Sequence, residues 1–513
     1  VASWAFNANY HPFIYLTDKF APIEMIGKSH QMPTLGQNDW NMFDEKKAFR
    51  EIELVGGEAR EIHWKNFDLI VPHTVYPPRE DTDLLASVLE KVTPFAKKRL
   101  LEIGSGSGAL SILAASMGWE VEACDINPFA VAATRFNALE NKFQIVSSEG
   151  GIGPTKDGLS SQWMKPGTYD LVMWNMPYIP AEEIEEYLGP LEDAALIDTH
   201  PSGLLSKFAD MMRRFQLISP TGLALILCRE NIGKRRTQDI LLAKGLATQR
   251  VSKRTFDDNE TIQVLAVWHP FVKSKKQQMH SVPSTNSEML EGSYKPGDSL
   301  RTRFQTDGKG RHGRTWDDHL DSFKGSWKLN PDQIPHISSQ LQCTVALEIV
   351  SLLQSMAPEE NVLRVKWPND LLVRDNKSKQ WKKAGGILFQ SLSRGTEQSL
   401  VLGIGINTKT TTDVQGRGSL EEIGVDLDNT ELFTLLDTIV SSLFENKSNL
   451  MNASSKSTEI NLDLLLKECI YRNKEFTVRG VSDEGELQIE SDKGESYDIS
   501  DDLSLLWSHL QLQ

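Results

Sequence analysis

The segment Arg364-Val365-Lys366-Trp367-Pro368-Asn369-Asp370 ends an apolar strand on an amide and a carboxylate. Twelve residues on, Lys382-Lys383-Ala384-Gly385-Gly386-Ile387-Leu388 puts an amine directly before glycines and a second apolar strand. Polar atoms are thereby placed at a sheet edge, and Asp370 offers the hard oxygen that Mg²⁺ takes together with ATP phosphates. A further strand, Val401-Leu402-Gly403-Ile404-Gly405-Ile406-Asn407, is interrupted by glycines, which suits a ligand lying against bare backbone. Upstream, Gln305-Thr306-Asp307-Gly308-Lys309-Gly310-Arg311-His312-Gly313-Arg314-Thr315-Trp316 carries three glycines that let the backbone wrap closely. Its Lys309, Arg311 and Arg314 are cations able to pair with phosphate. No Gly-Lys-Ser/Thr closes this loop, so it is not a Walker loop. Singly, each segment has a plainer account: Asp370 as a turn former, Lys383 as a solvated amine, Gly403 and Gly405 as helix-packing clearances, the glycine/arginine run as a flexible basic loop.

Around these segments the pattern is α+β. A helix is expected near 340–355, strands at 362–366, 386–390 and 399–405, and helix over 429–444. Residues 446–459 are Ser/Asn-rich and read as a loop. The tail 475–507 reads as short strands with turns at Asp483-Glu484-Gly485 and Asp492-Lys493-Gly494, a small barrel-like domain.

In this order, and together with Ser284-Thr285-Asn286, the segments resemble the biotin-protein ligase family over some 230 residues. The resemblance implies biotin, ATP and Mg²⁺ as ligands, formation of biotinyl-5'-AMP, and transfer of biotin to a lysine in the biotin-acceptor domains of biotin-dependent carboxylases. It puts Ser284, Thr285 and Asn286 beside the biotin pocket and Gln305 at the ureido or carboxyl region. Gly308, Gly310, Gly313 and Arg314 belong to a loop that orders over the ligands, with Arg311 holding the reactive intermediate and Trp316 near the adenine or the biotin tail. Asn369 and Asp370 address ATP and magnesium, and Lys383 lies against the biotin carboxylate and the α-phosphate. Lys366, Gly385, Gly386, Gly403, Gly405 and Asn407 complete the implied binding set. Catalysis then rests on Lys383, Arg311 and Asp370, because a carboxylate attacking the α-phosphorus must approach another anion.

Two departures from the family stand out. Lys309 replaces an arginine, keeping charge but losing the bidentate fork. The strand Ser326-Trp327-Lys328-Leu329-Asn330 carries a lysine and a bulky tryptophan, whose polar side is expected to face solvent. A lipoyl or octanoyl ligase shares the general fold and is the alternative. No helix-turn-helix precedes the domain, so DNA binding is not implied.

In the N-terminal half, Leu101-Glu102-Ile103-Gly104-Ser105-Gly106-Ser107-Gly108 follows an apolar strand and opens a helix. Asp125 ends the next strand 19 residues beyond Gly106, about where a carboxylate takes a ribose hydroxyl pair. Strands at 99–103, 120–124, 169–174 and 222–228 alternate with helices at 109–117, 129–141 and 204–217, as in an open parallel sheet. Strands at 248–254 and 261–268 could pair as an antiparallel edge. A nicotinamide-binding domain is the rival. Asp125-Ile126-Asn127-Pro128 and Asn175-Met176-Pro177-Tyr178 instead resemble class I methyltransferases that bind S-adenosylmethionine, and most nearly the release-factor glutamine methyltransferase family, as does Pro77-Pro78-Arg79-Glu80-Asp81-Thr82-Asp83-Leu84-Leu85. The resemblance puts Gly104, Gly106, Gly108 and Thr82 near the cofactor, Asp125 at its ribose, and Asn175 and Tyr178 on a planar amide or amine of a protein substrate such as a release factor. Met176 stands where the family has proline, so the loop is less constrained. The alternative is an inactive scaffold or partner-binding module.

A chain of 513 residues exceeds the about 250 to 300 that one core supports. The expected order is an irregular extension (1–60), a Rossmann-like methyltransferase domain (61–270), a linker (271–279), an α+β ligase domain (280–465) and the barrel (466–513). A net charge of -15 provides no bulk field for nucleic acid. The four cysteines lie over a hundred residues apart, which argues for a reducing compartment and against a zinc site. No window holds the ~18 uninterrupted apolar residues of a membrane span. The chain starts at Val1 without a positive, then apolar, leader, so a cytoplasmic protein is expected. The missing initiator methionine is compatible with a removed organellar presequence or with a fragment.

Overall fold

The computed structural model describes residues 57–92, 98–152, 169–180, 195–198, 203–257, 259–316, 321–334, 336–375, 378–395, 397–410, 417–447, 461–508 and 510. The extension before residue 57 and nearly all of the 446–459 loop lie outside them. The chain divides into two compact units that change over between residues 241 and 269.

The first unit holds a seven-stranded sheet. Its order is Ala247–Thr255, Thr261–Trp268, Ile218–Arg229, Tyr169–Asn175, Arg99–Ile103, Glu120–Asp125, Val146–Glu149. From Ile218–Arg229 onward the pairs are parallel, and Thr261–Trp268 joins antiparallel. Four of the seven residues of Tyr169–Asn175 are fully buried apolar groups, as expected for a strand covered on both faces. Asn127 caps the helix Pro128–Glu140, its side chain accepting from the Phe129 amide at 2.9 Å, with Pro128 in the first turn. Arg99–Ile103 has later strands on both sides, so the order reverses there and a crevice opens beyond its carboxyl end, where Gly104 to Gly108 emerge. An antiparallel hairpin, Arg60–Trp64 with Phe67–Val71, precedes this sheet.

The second unit holds another seven-stranded sheet. Its order is Lys276–Val282, Ser299–Gln305, Ser322–Leu329, Glu397–Asn407, Trp381–Arg394, Asp370–Arg374, Leu363–Lys366. All pairs are antiparallel except the first. Helices Ser339–Met356 and Asn429–Phe444 pack on one face, burying Phe323, Trp327, Leu402 and Ile404 with them. The short helix Thr285–Glu291 packs on the other, with Met289 against Leu300 and Val401. Because strand side chains alternate, Lys324, Ser326 and Lys328 share the second face with Gly403 and Gly405.

Three expectations change. The strand Ser322–Leu329 does not turn its polar side to solvent, since every residue in it is buried. Lys324 Nζ donates to the Arg303 carbonyl at 2.7 Å and Lys328 Nζ to the Met289 carbonyl at 3.0 Å, while Trp327 Nε1 donates to Asp437 at 2.9 Å. These bonds satisfy the polar ends, so the covering helices can bury them. Residues 276–279, read as linker, belong to the edge strand Lys276–Val282, held by the parallel pairing with Ser299–Gln305. The tail is a five-stranded antiparallel sheet whose described pairs run from Ser496–Ile499 to Leu505–Trp507, with none joining those two outer strands. Its turns place Gly485 at φ 91° and Gly494 at φ 79°, a region costly for other residues.

Glu102 is buried in the centre of the first sheet, and desolvation pushes its carboxyl up to about 8 despite the Ser111 hydroxyl donating to it. The folded chain thus holds a proton there that the unfolded chain has released, so this group's contribution falls as pH rises from the ordinary carboxylate range to about 8. Glu102→Gln is expected to be increasingly stabilised over wild type between pH 5 and 8, by up to ~1.4 kcal/mol per pH unit. Denaturant unfolding of both at several pH values checks this, and a difference independent of pH contradicts it.

Candidate active sites

The glycine/arginine segment of the second unit is a closed loop. The Trp316 amide donates to the Gly308 carbonyl at 2.8 Å and the Gly310 amide to the Arg314 carbonyl at 2.7 Å. Between them is a 3-10 turn, Arg311–Gly313, with His312 at φ 53° and Gly313 at φ 75°. The loop borders a cavity of about 190 Å³ whose floor is the bare backbone of Gly403, Gly405 and Gly386. A Cβ on Gly405 would stand 2.6 Å from the Trp316 ring, and one on Gly403 would stand 2.3 Å from Asn286 Oδ1. The glycines therefore make room for one ring and one amide above the sheet. The Gly403 clearance does serve a helix, since Asn286 belongs to Thr285–Glu291.

One end of the cavity is a network of neutral polar groups. The Gln305 amide oxygen accepts from the Thr285 amide at 2.8 Å and hydroxyl at 3.1 Å, and the Ser326 hydroxyl meets Thr285 Oγ1 at 2.8 Å and Asn286 Oδ1 at 2.6 Å. Asn286 Nδ2 donates to Gln390 at 2.8 Å. Ser284, the N-cap of the short helix, also lines this end.

The other end is charged. Asp370 Oδ1 meets Lys383 Nζ at 2.7 Å and its Oδ2 meets Lys366 Nζ at 3.2 Å. Burial acts to raise the Asp370 carboxyl, but Lys383 and Lys366 outweigh it and hold it below the usual carboxylate range. Both oxygens thus already serve ammonium groups. The magnesium expected at Asp370 would share this carboxylate with Lys383 and Lys366. Lys383 Nζ also lies 5.9 Å from the Trp316 ring centroid, and Trp316 Nε1 is buried with no hydrogen-bond partner in the structure. Arg311 Nη1 donates to Asn369 Oδ1 at 3.1 Å, and Asn369 Nδ2 to the Ile387 carbonyl at 2.7 Å. Asn407 lines the wall while its amide donates to the Gly418 carbonyl at 3.0 Å, pinning that segment.

In the first unit, Asp125 is the hub of the glycine turn. Its carboxylate accepts from the Gly106 and Asn127 amides, each at 2.8 Å. Burial nevertheless raises it to about 6, against those same bonds. Gly104, Gly106 and Gly108 all have positive φ, and a Cβ on Gly108 would come within 3.0 Å of the Thr134 backbone. Asn175 Nδ2 donates to Asp81 Oδ2 at 3.0 Å, and the Thr82 amide donates to Asp81 Oδ1 at 2.6 Å. Thr82 Oγ1 accepts from the Arg79 amide, so it also closes the N-terminus of its helix. Burial, followed by the Asp81 charge, raises the phenols of Tyr76 and Tyr178 above their ordinary range.

The biotin/lipoate A/B protein ligase family matches residues 268–407, and the methyltransferase small domain matches residues 79–189. The chain's C-terminal half matches the biotin-protein ligase family, and its N-terminal half the methyltransferase small domain. The ligase half is 30% identical over 169 residues to the bifunctional ligase/repressor BirA of Escherichia coli strain K12, covering 30% of this chain and 49% of that protein. The chain thus spans about half the length of the curated ligases it matches. The methyltransferase half is 28% identical over 195 residues to a putative protein N5-glutamine methyltransferase of Methanocaldococcus jannaschii, covering 38% of this chain and 91% of that protein. Among solved structures, the biotin protein ligase from Aquifex aeolicus in complex with biotin and ATP is similar at 24% identity and a TM-score of 0.36, over 46% of this chain and 99% of that one.

In the ligase half, the cavity wall brings together Ser284, Thr285, Asn286, Gln305, Gly310, Arg311, Arg314, Trp316, Asn369, Asp370, Lys383, Gly386, Gly403, Gly405 and Asn407. Gly308, Gly313, Lys366 and Gly385 do not line it. Gly308 closes the loop, Lys366 acts through Asp370, and a Cβ on Gly385 would strike the Gly405 carbonyl at 2.7 Å. Sequence reading missed Lys324, Arg417 and Asp502, which do line the wall. Lys324 had a signal, since in Ser322–Leu329 the polar residues Ser322, Lys324, Ser326 and Lys328 alternate with apolar ones and glycine. Asp502 had none, lying nearly 190 residues beyond the loop it faces. In the methyltransferase half the missed residue is Asp81, next to Thr82 in the sequence and bonded to Asn175.

Gly403→Ala is expected to destabilise the ligase half by about 1–3 kcal/mol, because Asn286 is held by Ser326 and Gln390 and cannot withdraw freely. Chemical denaturation measures it, and a change below about 0.5 kcal/mol would show that Asn286 yields.

Proposed function

We propose that the ligase half is an AMP-forming biotin-protein ligase. It makes biotinyl-5'-AMP from biotin and ATP and passes biotin to a lysine of an acceptor domain in biotin-dependent carboxylases. The observation that carries this reading is the division of one cavity into a neutral hydrogen-bonding end, at Ser284, Thr285, Asn286 and Gln305, and a cationic end, at Lys383 and Arg311, bordered by one loop. A ureido head with a carboxylate tail has that polarity. The cationic end suits the tail and the ATP α-phosphate, whose mutual repulsion Lys383 and Arg311 offset as the carboxylate oxygen bonds to phosphorus and pyrophosphate departs. Asn369 orients Arg311 for this. The loop excludes water from the mixed anhydride until the acceptor amine attacks its carbonyl and AMP leaves. No thiol takes part, since all four cysteines are buried.

For the methyltransferase half the reading is a protein N-methyltransferase acting on a planar amide or amine, a release factor being the class of substrate its relatives indicate. S-adenosylmethionine would supply the methyl group. The glycine turn and Asp125 fit it, through backbone with no Cβ and a carboxylate beside the crevice. Asp81 accepts one hydrogen from Asn175 Nδ2, which orients the amide and leaves Asn175 Oδ1 to accept from the substrate nitrogen.

Two experiments test these readings. Wild type with biotin and Mg-ATP is expected to give biotinyl-adenylate by mass spectrometry, and Lys383→Ala to lose at least about a hundredfold in acceptor labelling. Product from lipoate alone would replace biotin with the lipoyl reading. Calorimetric titration of the full chain with S-adenosylmethionine is expected to show micromolar binding, about 1 μM to 100 μM, that Asp125→Ala abolishes. No binding by wild type would leave a scaffold.

A further inference from the structure

Arg311 sits at the tip of a loop whose own backbone bonds close it on itself without fixing it across the cavity. Two side chains outside the loop hold that tip. Arg311 Nη1 reaches Asn369 at 3.1 Å, and Nη2 reaches Asp502 Oδ1 at 3.2 Å. His312 Nε2 lies 3.5 Å from the same oxygen. Asp502 belongs to the 3-10 turn Asp502–Ser504 of the C-terminal sheet, where the Asp501 side chain accepts from the Leu503 amide at 3.0 Å and the Ser504 hydroxyl donates to the Asp501 carbonyl at 2.7 Å. These bonds cap the turn and set the backbone that carries Asp502. The Asp502 side chain is 10% exposed, and its buried Oδ1 meets no donor in hydrogen-bond geometry. An anion in that position is compensated mainly by the cations facing it, so its removal releases them.

We infer that Asp502 is a positioning residue: it ties the Arg311 turn to the C-terminal sheet, so that the loop lies across the cavity with the guanidinium shared between Asn369 and Asp502. A guanidinium has five N–H donors, and one hydrogen bond to Asn369 with the ion pair to Asp502 leaves an oriented edge for phosphate. The C-terminal sheet thereby contributes to retention of the adenylate without touching the reacting atoms.

Amide hydrogen exchange over residues 308–316 of the full chain reads the tie directly. Asp502→Asn is expected to speed exchange at least about tenfold, and Asp502→Glu to return it to within about threefold of wild type. Asp501→Asn, which keeps a capping acceptor, should match wild type. On an Arg311→Ala background, Asp502→Asn should add nothing further, because the partner is already gone. Exchange unchanged in Asp502→Asn, or a rise of equal size on the Arg311→Ala background, overturns the inference. In the ligase reaction, where the consequence rests on the reading above, Asp502→Asn should release biotinyl-adenylate about tenfold faster than wild type. Unchanged release counts against it. A wild-type chain that makes no adenylate would remove the ligase reading alone, and the exchange measurement would still decide Asp502.

Discussion

The absence of side chains at Gly403 and Gly405 is the constraint on which the ligase half depends. Strand residues alternate between faces, so these two glycines clear one continuous strip on the side away from the long helices. Into that strip come Asn286 from the short helix and Trp316 from the end of the glycine/arginine loop. Everything polar in the cavity is then referenced to them. Asn286 organises Ser326 and Gln390, while Trp316 lies near Lys383, which in turn is held by Asp370. A methyl group on either glycine would displace a whole branch of this arrangement.

Charge is handled differently in the two halves. In the ligase half, one carboxylate stands between two ammonium groups, which keeps Asp370 ionised in spite of burial and orients Lys383 toward the cavity. In the methyltransferase half, Asp125 and Glu102 are buried with no ion pair to a cation among the described residues, and both carboxyls are raised, to about 6 and about 8. Asp125 is compensated by backbone amides instead, which is the form of compensation that a glycine turn can provide.

Much of the secondary structure was legible because burial periodicity is local. The strands at 99–103 and 261–268 and the helix at 429–444 agree with the sequence pattern residue for residue, and others differ by a turn or a few residues at their ends. The misreadings share one cause. Trp327 and Lys328 looked like a solvent-facing edge because their partners, Asp437 and the Met289 carbonyl, come from other elements. Lys276 and its neighbours looked like linker because a parallel edge strand is defined by its partner, not by its composition.

The sequence by itself determined which residue types were available for the chemistry: the glycine spacing, the lysine before Gly385-Gly386, the acid after the second strand of the methyltransferase half, and the division into two domain types. Those signals survive in one dimension because backbone conformation and side-chain chemistry are properties of the residue itself. Only the tertiary structure decided how the charges pair. The antiparallel pairing of 370–374 with 381–394 brings Lys383 within 2.7 Å of Asp370, and the return of the chain at Asp502 gives Arg311 a counter-ion. Electrostatic partnership depends on distance in space, and no sequence spacing encodes the approach of residues 311 and 502.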